Sequence, residues 1–261
     1  MLKRIIFCLY FKDGYFYLSR NFKLQKVGNL EWLIENFKFH NTSTYVDELV
    51  IILVKKNPNK NDFDLFINTI NKLRKTIFVP IALGGGVRSL SIAKSYFENG
   101  ADKIILNTRC FENTNIIDEI SDIFGAQAIS ISIDYKIENG NINLFSSSGI
   151  KKESVKFQSY LNVLEKKNCG EIILNSMDYD GTGQGVDSRI LIKIKKNFKK
   201  PILLMGGAGK YEHFKIVLTN AKVSGVMTAN LFNFLGDGLK KTRENLIKSG
   251  INIANFLWTK N

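Results

Sequence analysis

Cysteine and histidine are scarce in this chain. Three cysteines, Cys8, Cys110 and Cys169, occur in 261 residues. An odd number without C-x-x-C spacing argues against both a disulfide framework and a zinc site. The two histidines, His40 and His213, lack metal-ligand spacing, so neither a metal nor a cofactor is expected. No apolar run approaches the ~20 residues that span a bilayer. Met1 to Phe7 reads as a short strand and not as a signal peptide with a cleavage site. The expectation is a cytoplasmic protein without a membrane partner. Acidic residues are outnumbered, 24 Asp and Glu against 37 Lys and Arg, for a net charge of +13. Such an excess can attract nucleic acid or anionic substrates. Here the lysines are spread along the chain, no basic run forms a tail, and no nucleic-acid motif accompanies them. The charge is read as a Lys-rich composition, and no nucleic-acid partner is expected.

What the chain does have is a recurrent pattern. Aliphatic or β-branched runs near 3–9, 47–54, 77–83, 102–107, 127–133, 170–176, 201–205 and 223–229 read as strands. Segments of helical periodicity follow them near 28–40, 61–75, 89–99, 113–124, 154–167, 187–198, 210–220 and 236–249. The strand runs are almost continuously apolar, as strands covered on both faces must be. Eight strand-helix units without a Pro/Gly/Ser-rich linker predict one domain over 1–261, an α/β protein folded as a single (β/α)8 TIM barrel. Pro80–Gly86 is similar to Pro201–Gly207, Asp47–Val50 to Gly170–Ile173, and Leu9–Lys12 to Ile133–Lys136. Three matched pairs in the same order imply a duplicated half-barrel, about 1–124 and 125–261.

Two glycine clusters, Gly84-Gly85-Gly86 and Gly206-Gly207-Ala208-Gly209, each follow an apolar strand and precede a helix. That places them at the C-terminal mouth, where active sites of this fold lie. Glycine lets backbone N–H groups approach an anion, and the next helix adds its dipole. A tight turn would also explain one such cluster. Two of them, each followed by a strand ending in small polar residues (Asn107-Thr108 and Thr228-Ala229-Asn230), point to two phosphate sites and a substrate with a phosphate at each end. Asp178 to Gly183, after the strand ending at Ser176, reads either as a surface turn or as a mouth loop. In the second reading Asp180 orients the substrate and the Gly181 backbone meets a phosphate.

These residues resemble a known family. Lys12-Asp13-Gly14, Gly84-Gly85-Gly86, Ala101-Asp102-Lys103, Asn107-Thr108, Gln127-Ala128, Ile133-Asp134, Ser148-Gly149, Asp180-Gly181-Thr182 and Gly206 to Lys210 are similar, in order and over nearly the whole chain, to the cyclase subunit of imidazole glycerol phosphate synthase. The resemblance implies a lyase-type cyclase of histidine biosynthesis. It would receive ammonia from a glutaminase partner docked on the barrel bottom. Its phosphorylated small-molecule substrate, a phosphoribulosyl carboxamide ribonucleotide, would be cleaved and cyclised with two mouth aspartates as acid and base. It also implies substrate-binding roles for Gly85, Gly86, Asn107, Thr108, Ser148, Gly149, Asp180, Gly181, Gly206, Gly207, Ala229 and Asn230.

Some positions depart from that pattern. Asp134 fills the second catalytic position, but the first, in the family's Cys-Leu-Asp context, reads Cys8-Leu9-Tyr10. A phenol, with pKa ~10 against ~4 for aspartate, is a poor base at neutral pH. Leu18 replaces a loop lysine, and Leu53 an aspartate ending strand two. The family's charged ring at the barrel bottom, which gates ammonia, is filled by Arg4, Glu48, Lys103 and Glu171. Such charges are costly unless paired with one another. A ring that merely closes the bottom is the alternative. The resemblance therefore leaves three functions. One is the ordinary cyclase. Another is a relative of the kind found with surface-polysaccharide (lipopolysaccharide) enzymes, supplying nitrogen for an amidino group on an N-acetyl sugar, a branch that Gly236 to Lys241 also resembles. The last is a non-catalytic barrel that stimulates the glutaminase. The diverged relative is favoured. Cys8 is assigned to the core, His213 to a structural role or the partner face, His40 to a surface or C-cap position and Trp258 to the barrel exterior. Lys136–Ser148 is read as a hairpin-like excursion around Asn139-Gly140 that could cover the mouth.

Overall fold

The structure is a computed structural model that describes residues 2–37, 45–229 and 238–255. His40, Asn230, Gly236, Asp237 and Trp258 lie outside the described residues.

Eight parallel strands close on themselves: β1 (Arg4–Lys12), β4 (Glu48–Leu53), β5 (Ile81–Gly84), β6 (Lys103–Leu106), β7 (Ile129–Glu138), β10 (Glu171–Ser176), β11 (Ile202–Met205) and β12 (Val223–Thr228). The last strand pairs with the first, Arg4 opposite Gly225. The remaining strands are excursions from this barrel: β2 (Tyr15–Arg20), β3 (Lys23–Gly28), β8 (Asn141–Ser146) and β9 (Lys151–Lys152). The helices are α1 (Leu30–Phe37), α2 (Lys60–Leu73), α3 (Leu90–Glu98), α4 (Thr108–Glu112), α5 (Asn115–Phe124), α6 (Phe157–Glu165), α7 (Arg189–Ile192), α8 (Tyr211–Leu218) and α9 (Gly238–Lys248). This is the single (β/α)8 barrel expected from the alternation of apolar runs and helical periodicity.

The two-residue period of a strand divides its side chains between two cores. Ile6, Cys8, Val50, Ala82, Ile105, Ile173, Leu203 and Met227 fill the barrel interior. Ile5, Phe7, Leu9, Leu49, Ile51 and Leu53 face the helices. Both faces are largely buried, so the strands read as nearly continuous apolar runs in the sequence, with the polar residues of β7 (Ser130, Ser132) the main exception. The helices dock by apolar stripes: α2 buries Phe66, Ile70 and Leu73, and Phe66 packs edge-on against Tyr96 of α3, ring centres 5.6 Å apart. Asn59 and Asp62 form a reciprocal capping box at the start of α2.

Departures from the expected elements lie mainly in the connections. β1 runs three residues past its expected end and turns through Asp13 and Gly14, with φ of 50° and 81°, into the β2–β3 hairpin. The expected helix over 187–198 is cut to Arg189–Ile192. Beyond it the chain turns, and Lys222 Nζ donates to the carbonyls of Ile194 and Lys195 at 3.1 and 2.7 Å. The excursion after Lys136 is an antiparallel β7–β8 hairpin with Asn139 and Gly140 at positive φ in its two-residue turn. Both hairpins extend strands at the mouth. No helix among the described residues is long and apolar enough to cross a membrane.

Candidate active site

The mouth is built by inward-facing residues toward the C-terminal ends of the barrel strands. Asp134 of β7 lies opposite Asn175 of β10 in register. It is buried, and its two oxygens accept Asn175 Nδ2 at 2.8 Å and Asn107 Nδ2 at 3.0 Å. Burial is the main reason its carboxyl is pushed up to about 7, with Asp180 adding repulsion and the two amides opposing. Tyr10 of β1 packs against the interior cluster within the field of Asp134 and Asp180. Burial, then the neighbouring Cys8, Asp180 and Asp134, hold its phenol well above its ordinary range. At neutral pH it is an uncharged donor. Cys8, below it in the barrel interior, is a core residue whose thiol is pushed up by burial.

Leu53 is not at the mouth. It is 3 % exposed in the layer between sheet and helices, and the β4 residue that faces the interior is Ile52, paired with Tyr10. Glu48 points inward, so a period of two directs Val50 and Ile52 inward and Leu53 outward. Leu18 lies half-buried on β2, opposite Gln25.

The glycine loops are dictated by close approach. A Cβ on Gly85 (φ 88°) would sit 2.0 Å from the Leu53 carbonyl oxygen, and one on Gly207 (φ 88°) 1.9 Å from that of Gly185. Gly206, Gly207, Thr228 and Ala229 line a pocket with Asp180 and Gly181. His213, in the first turn of α8, supports this loop, as its structural reading expects: its Nδ1 accepts the Gly209 N–H at 3.1 Å. A Cβ on Gly86 (φ 68°) would crowd the side chains of Pro58 and Phe63 at 2.7 and 2.9 Å.

Two loops contact residues at this end of the barrel. The Asp180 carboxylate accepts the Ser19 hydroxyl at 2.5 Å and the Phe22 N–H at 2.8 Å, and its carbonyl accepts the Asn21 N–H at 2.9 Å. It thereby fastens the tip of the β2–β3 hairpin. Gly181 must be glycine, because a Cβ there would lie 2.2 Å from the Ser19 carbonyl oxygen. The second is the turn after β8. Its Ser147 N–H donates to the Thr108 hydroxyl at 3.0 Å, Ser148 is exposed, and Gly149 leaves no room for a Cβ beside Phe22 and Met177. Ser19, Phe22 and Asn175 were not singled out in the sequence. Strand parity from Glu171 would have revealed Asn175; the hairpin carried no comparable signal.

At the opposite end the four predicted charges come together. Arg4 bridges Glu48 at 2.9 Å and Glu171, and Lys103 bridges the same two carboxylates at 2.8 and 3.1 Å. Ser130 donates to Glu171 at 2.8 Å. Burial pushes Glu48 up, whereas in Glu171 the burial effect is outweighed by Arg4 and Lys103 and the carboxyl falls below its usual range. Mouth and ring are joined by shared strands: Glu171, Ile173 and Asn175 follow one inward row, as do Ser130, Ser132 and Asp134.

The model for histidine biosynthesis proteins matches residues 4–236. The chain belongs to the histidine biosynthesis protein family. Within it, the chain is a homologue of HisF cyclase subunits. It is 41% identical over 242 residues to a protein of Parasynechococcus marenigrum (strain WH8102) provisionally named imidazole glycerol phosphate synthase subunit hisF2, covering 93% of this chain and 89% of that protein. It is 32% identical over 254 residues to imidazole glycerol phosphate synthase subunit HisF of Thermotoga sp. (strain RQ2), covering 97% and 98%, and 31% identical over 254 residues to that of Pelodictyon phaeoclathratiforme (strain DSM 5477 / BU-1), covering 97% and 99%. This histidine biosynthesis family member has a closed eight-stranded barrel in which the carboxylates of Asp134 and Asp180 both bear on the phenol of Tyr10. Among its described residues no group of three His, Cys, Asp or Glu side chains could hold a metal ion.

Proposed function

We propose that the chain is the synthase subunit of a glutamine amidotransferase pair, a diverged imidazole glycerol phosphate synthase cyclase whose acceptor has changed. A glutaminase docks on the barrel bottom, ammonia passes the ring of Arg4, Glu48, Lys103 and Glu171, and a phosphorylated acceptor is held at the mouth by the two glycine loops. Asp134 is the acid–base residue, and a carboxyl near 7 suits that task at neutral pH. The observation that carries the divergence is Tyr10, a neutral phenol where the resemblance calls for a second carboxylate. Amidation in surface-sugar synthesis is the acceptor chemistry favoured. Phe78, 92% exposed before β5, and Leu2, 52% exposed before β1, support a docking face at the ring end. The half-barrels, about 1–124 and 125–261, would each supply one phosphate loop.

A second reading, the ordinary histidine-pathway cyclase, is favoured by end-to-end similarity to HisF subunits. Turnover of the phosphoribulosyl carboxamide ribonucleotide by the purified chain at saturating ammonium separates them. Divergence predicts a rate ~10²–10⁴ below that of a working cyclase. Turnover in the ordinary range of ~1–10³ s⁻¹ would leave the second reading standing.

A further inference from the structure

The two amides that hold Asp134 are not equivalent. Asn107 is pinned: its Nδ2 also donates to the Ser132 carbonyl at 3.1 Å, and its Oδ1 accepts the Thr108 hydroxyl at 3.4 Å. Asn175 is 6% exposed, its Nδ2 donates to Asp134, and its Oδ1 has no hydrogen-bond partner. Turning Asn107 over would break three contacts. Turning Asn175 over would break one.

A carboxylate only accepts, so ionised Asp134 fixes the Asn175 NH2 toward itself and leaves the amide oxygen facing away and unpaired. An orphaned buried acceptor is costly and calls for an explanation. A carboxylic acid carries one donor. With the proton on Asp134 Oδ1, an Asn175 amide rotated about its terminal bond meets that proton with its oxygen. The groups that bear on this site are Tyr10 and its neighbour Cys8 from β1 and Asp180 beyond β10; the contacts from β6 and β7, Asn107 and Ser132, are uncharged.

We propose that Asn175 is a positioning residue whose amide turns over with the protonation state of Asp134, donating to the carboxylate and accepting from the acid. Each state keeps one Asn175–Asp134 hydrogen bond, so Asp134 can gain and lose a proton without losing its orientation. The pinned Asn107 keeps the other oxygen in place throughout.

This deepens the acid–base role proposed for Asp134, and it can be followed without any substrate, so its failure is separable from failure of that role. The experiment is a pH titration by NMR of protein labelled with 13C at the Asp carboxyls and 15N at the Asn side chains, with Asp134→Asn and Asn175→Leu identifying the two resonances. The Asn175 NH2 signals should switch between two sets with the midpoint of Asp134. In Asn175→Leu both protonation states lose one bond, so the Asp134 midpoint should move by less than about half a unit. A midpoint that rises by about one unit or more is what a donor fixed on the anion requires, and would overturn the proposal. So would Asn175 signals that ignore the titration. If the leucine variant fails to fold, Asn175→Thr, whose hydroxyl donates or accepts, should also keep the midpoint, and a rise of that size overturns the proposal in the same way.

Discussion

Ser19 donates its hydroxyl proton to the carboxylate of Asp180 at 2.5 Å, tying the β2–β3 hairpin to a loop 161 residues away in sequence. The Phe22 N–H joins the same carboxylate oxygen. Two donors converging on a buried carboxylate are worth more than surface hydrogen bonds, about 1.5–3 kcal/mol each when the acceptor is charged. The tip of the hairpin is thereby fastened to Asp180, a residue that also lines the pocket of the second glycine loop.

Removing the latch should loosen the hairpin without unfolding the barrel. In Ser19→Ala and Asp180→Ala, amide exchange over Tyr15–Gly28 should accelerate, while β5 and β11 keep their protection. Hydrogen exchange with peptide resolution reads this directly. Equal acceleration throughout the barrel would show that the contact is part of the global fold and not a latch.

Asp134 should make the protein less stable as pH rises. Its folded pKa, about 7, is above the unfolded value of ~3.9. Below about pH 4 the group is protonated in both states and costs nothing. Between about 4 and 7 the unfolded chain releases the proton while the folded chain keeps it, so stability falls through that window and is lower by a constant amount above it. Asp134→Asn should therefore stabilise the protein by about 1–3 kcal/mol at pH 8 and leave it nearly unchanged at pH 4. Thermal melts at the two pH values test the sign.

The ring should behave as a unit. Arg4→Met leaves Glu48 and Glu171 short of a partner in a buried place and should cost about 3–5 kcal/mol. Adding Glu171→Leu should recover much of that loss, because it removes a charge left unpaired. A double-mutant cycle by denaturant melts measures the coupling. Additive losses would mean that Arg4 and Glu171 do not depend on each other.

The barrel was legible in the sequence because strands buried on both faces show themselves as apolar runs. The ring came from the family resemblance, and its physical reason, that a charge at the start of such a run needs a partner, is seen only in the structure. Arg4, Glu48, Lys103 and Glu171 each begin a run. The mouth was only partly legible. Leu53 was misplaced by a single residue of strand parity, which moves a side chain to the other face. The β2–β3 hairpin was missed because its tip, Asn21-Phe22 with φ of 51° and 60°, puts a bulky aromatic in the left-handed region, which no turn signal anticipates. Tertiary contacts over-determine that conformation: the Phe22 N–H is held by Asp180, and its ring lies against Gly149.

Of the three departures, Tyr10, Leu18 and Leu53, the proposed divergence rests chiefly on Tyr10. The direct measurement is turnover of the phosphoribulosyl carboxamide ribonucleotide by Tyr10→Asp at saturating ammonium, beside the unsubstituted chain. The account predicts a rise of at least about tenfold, part of the ~10²–10⁴ that a general base contributes. A folded Tyr10→Asp protein with no gain in rate would contradict it, and would put the difference elsewhere in the mouth.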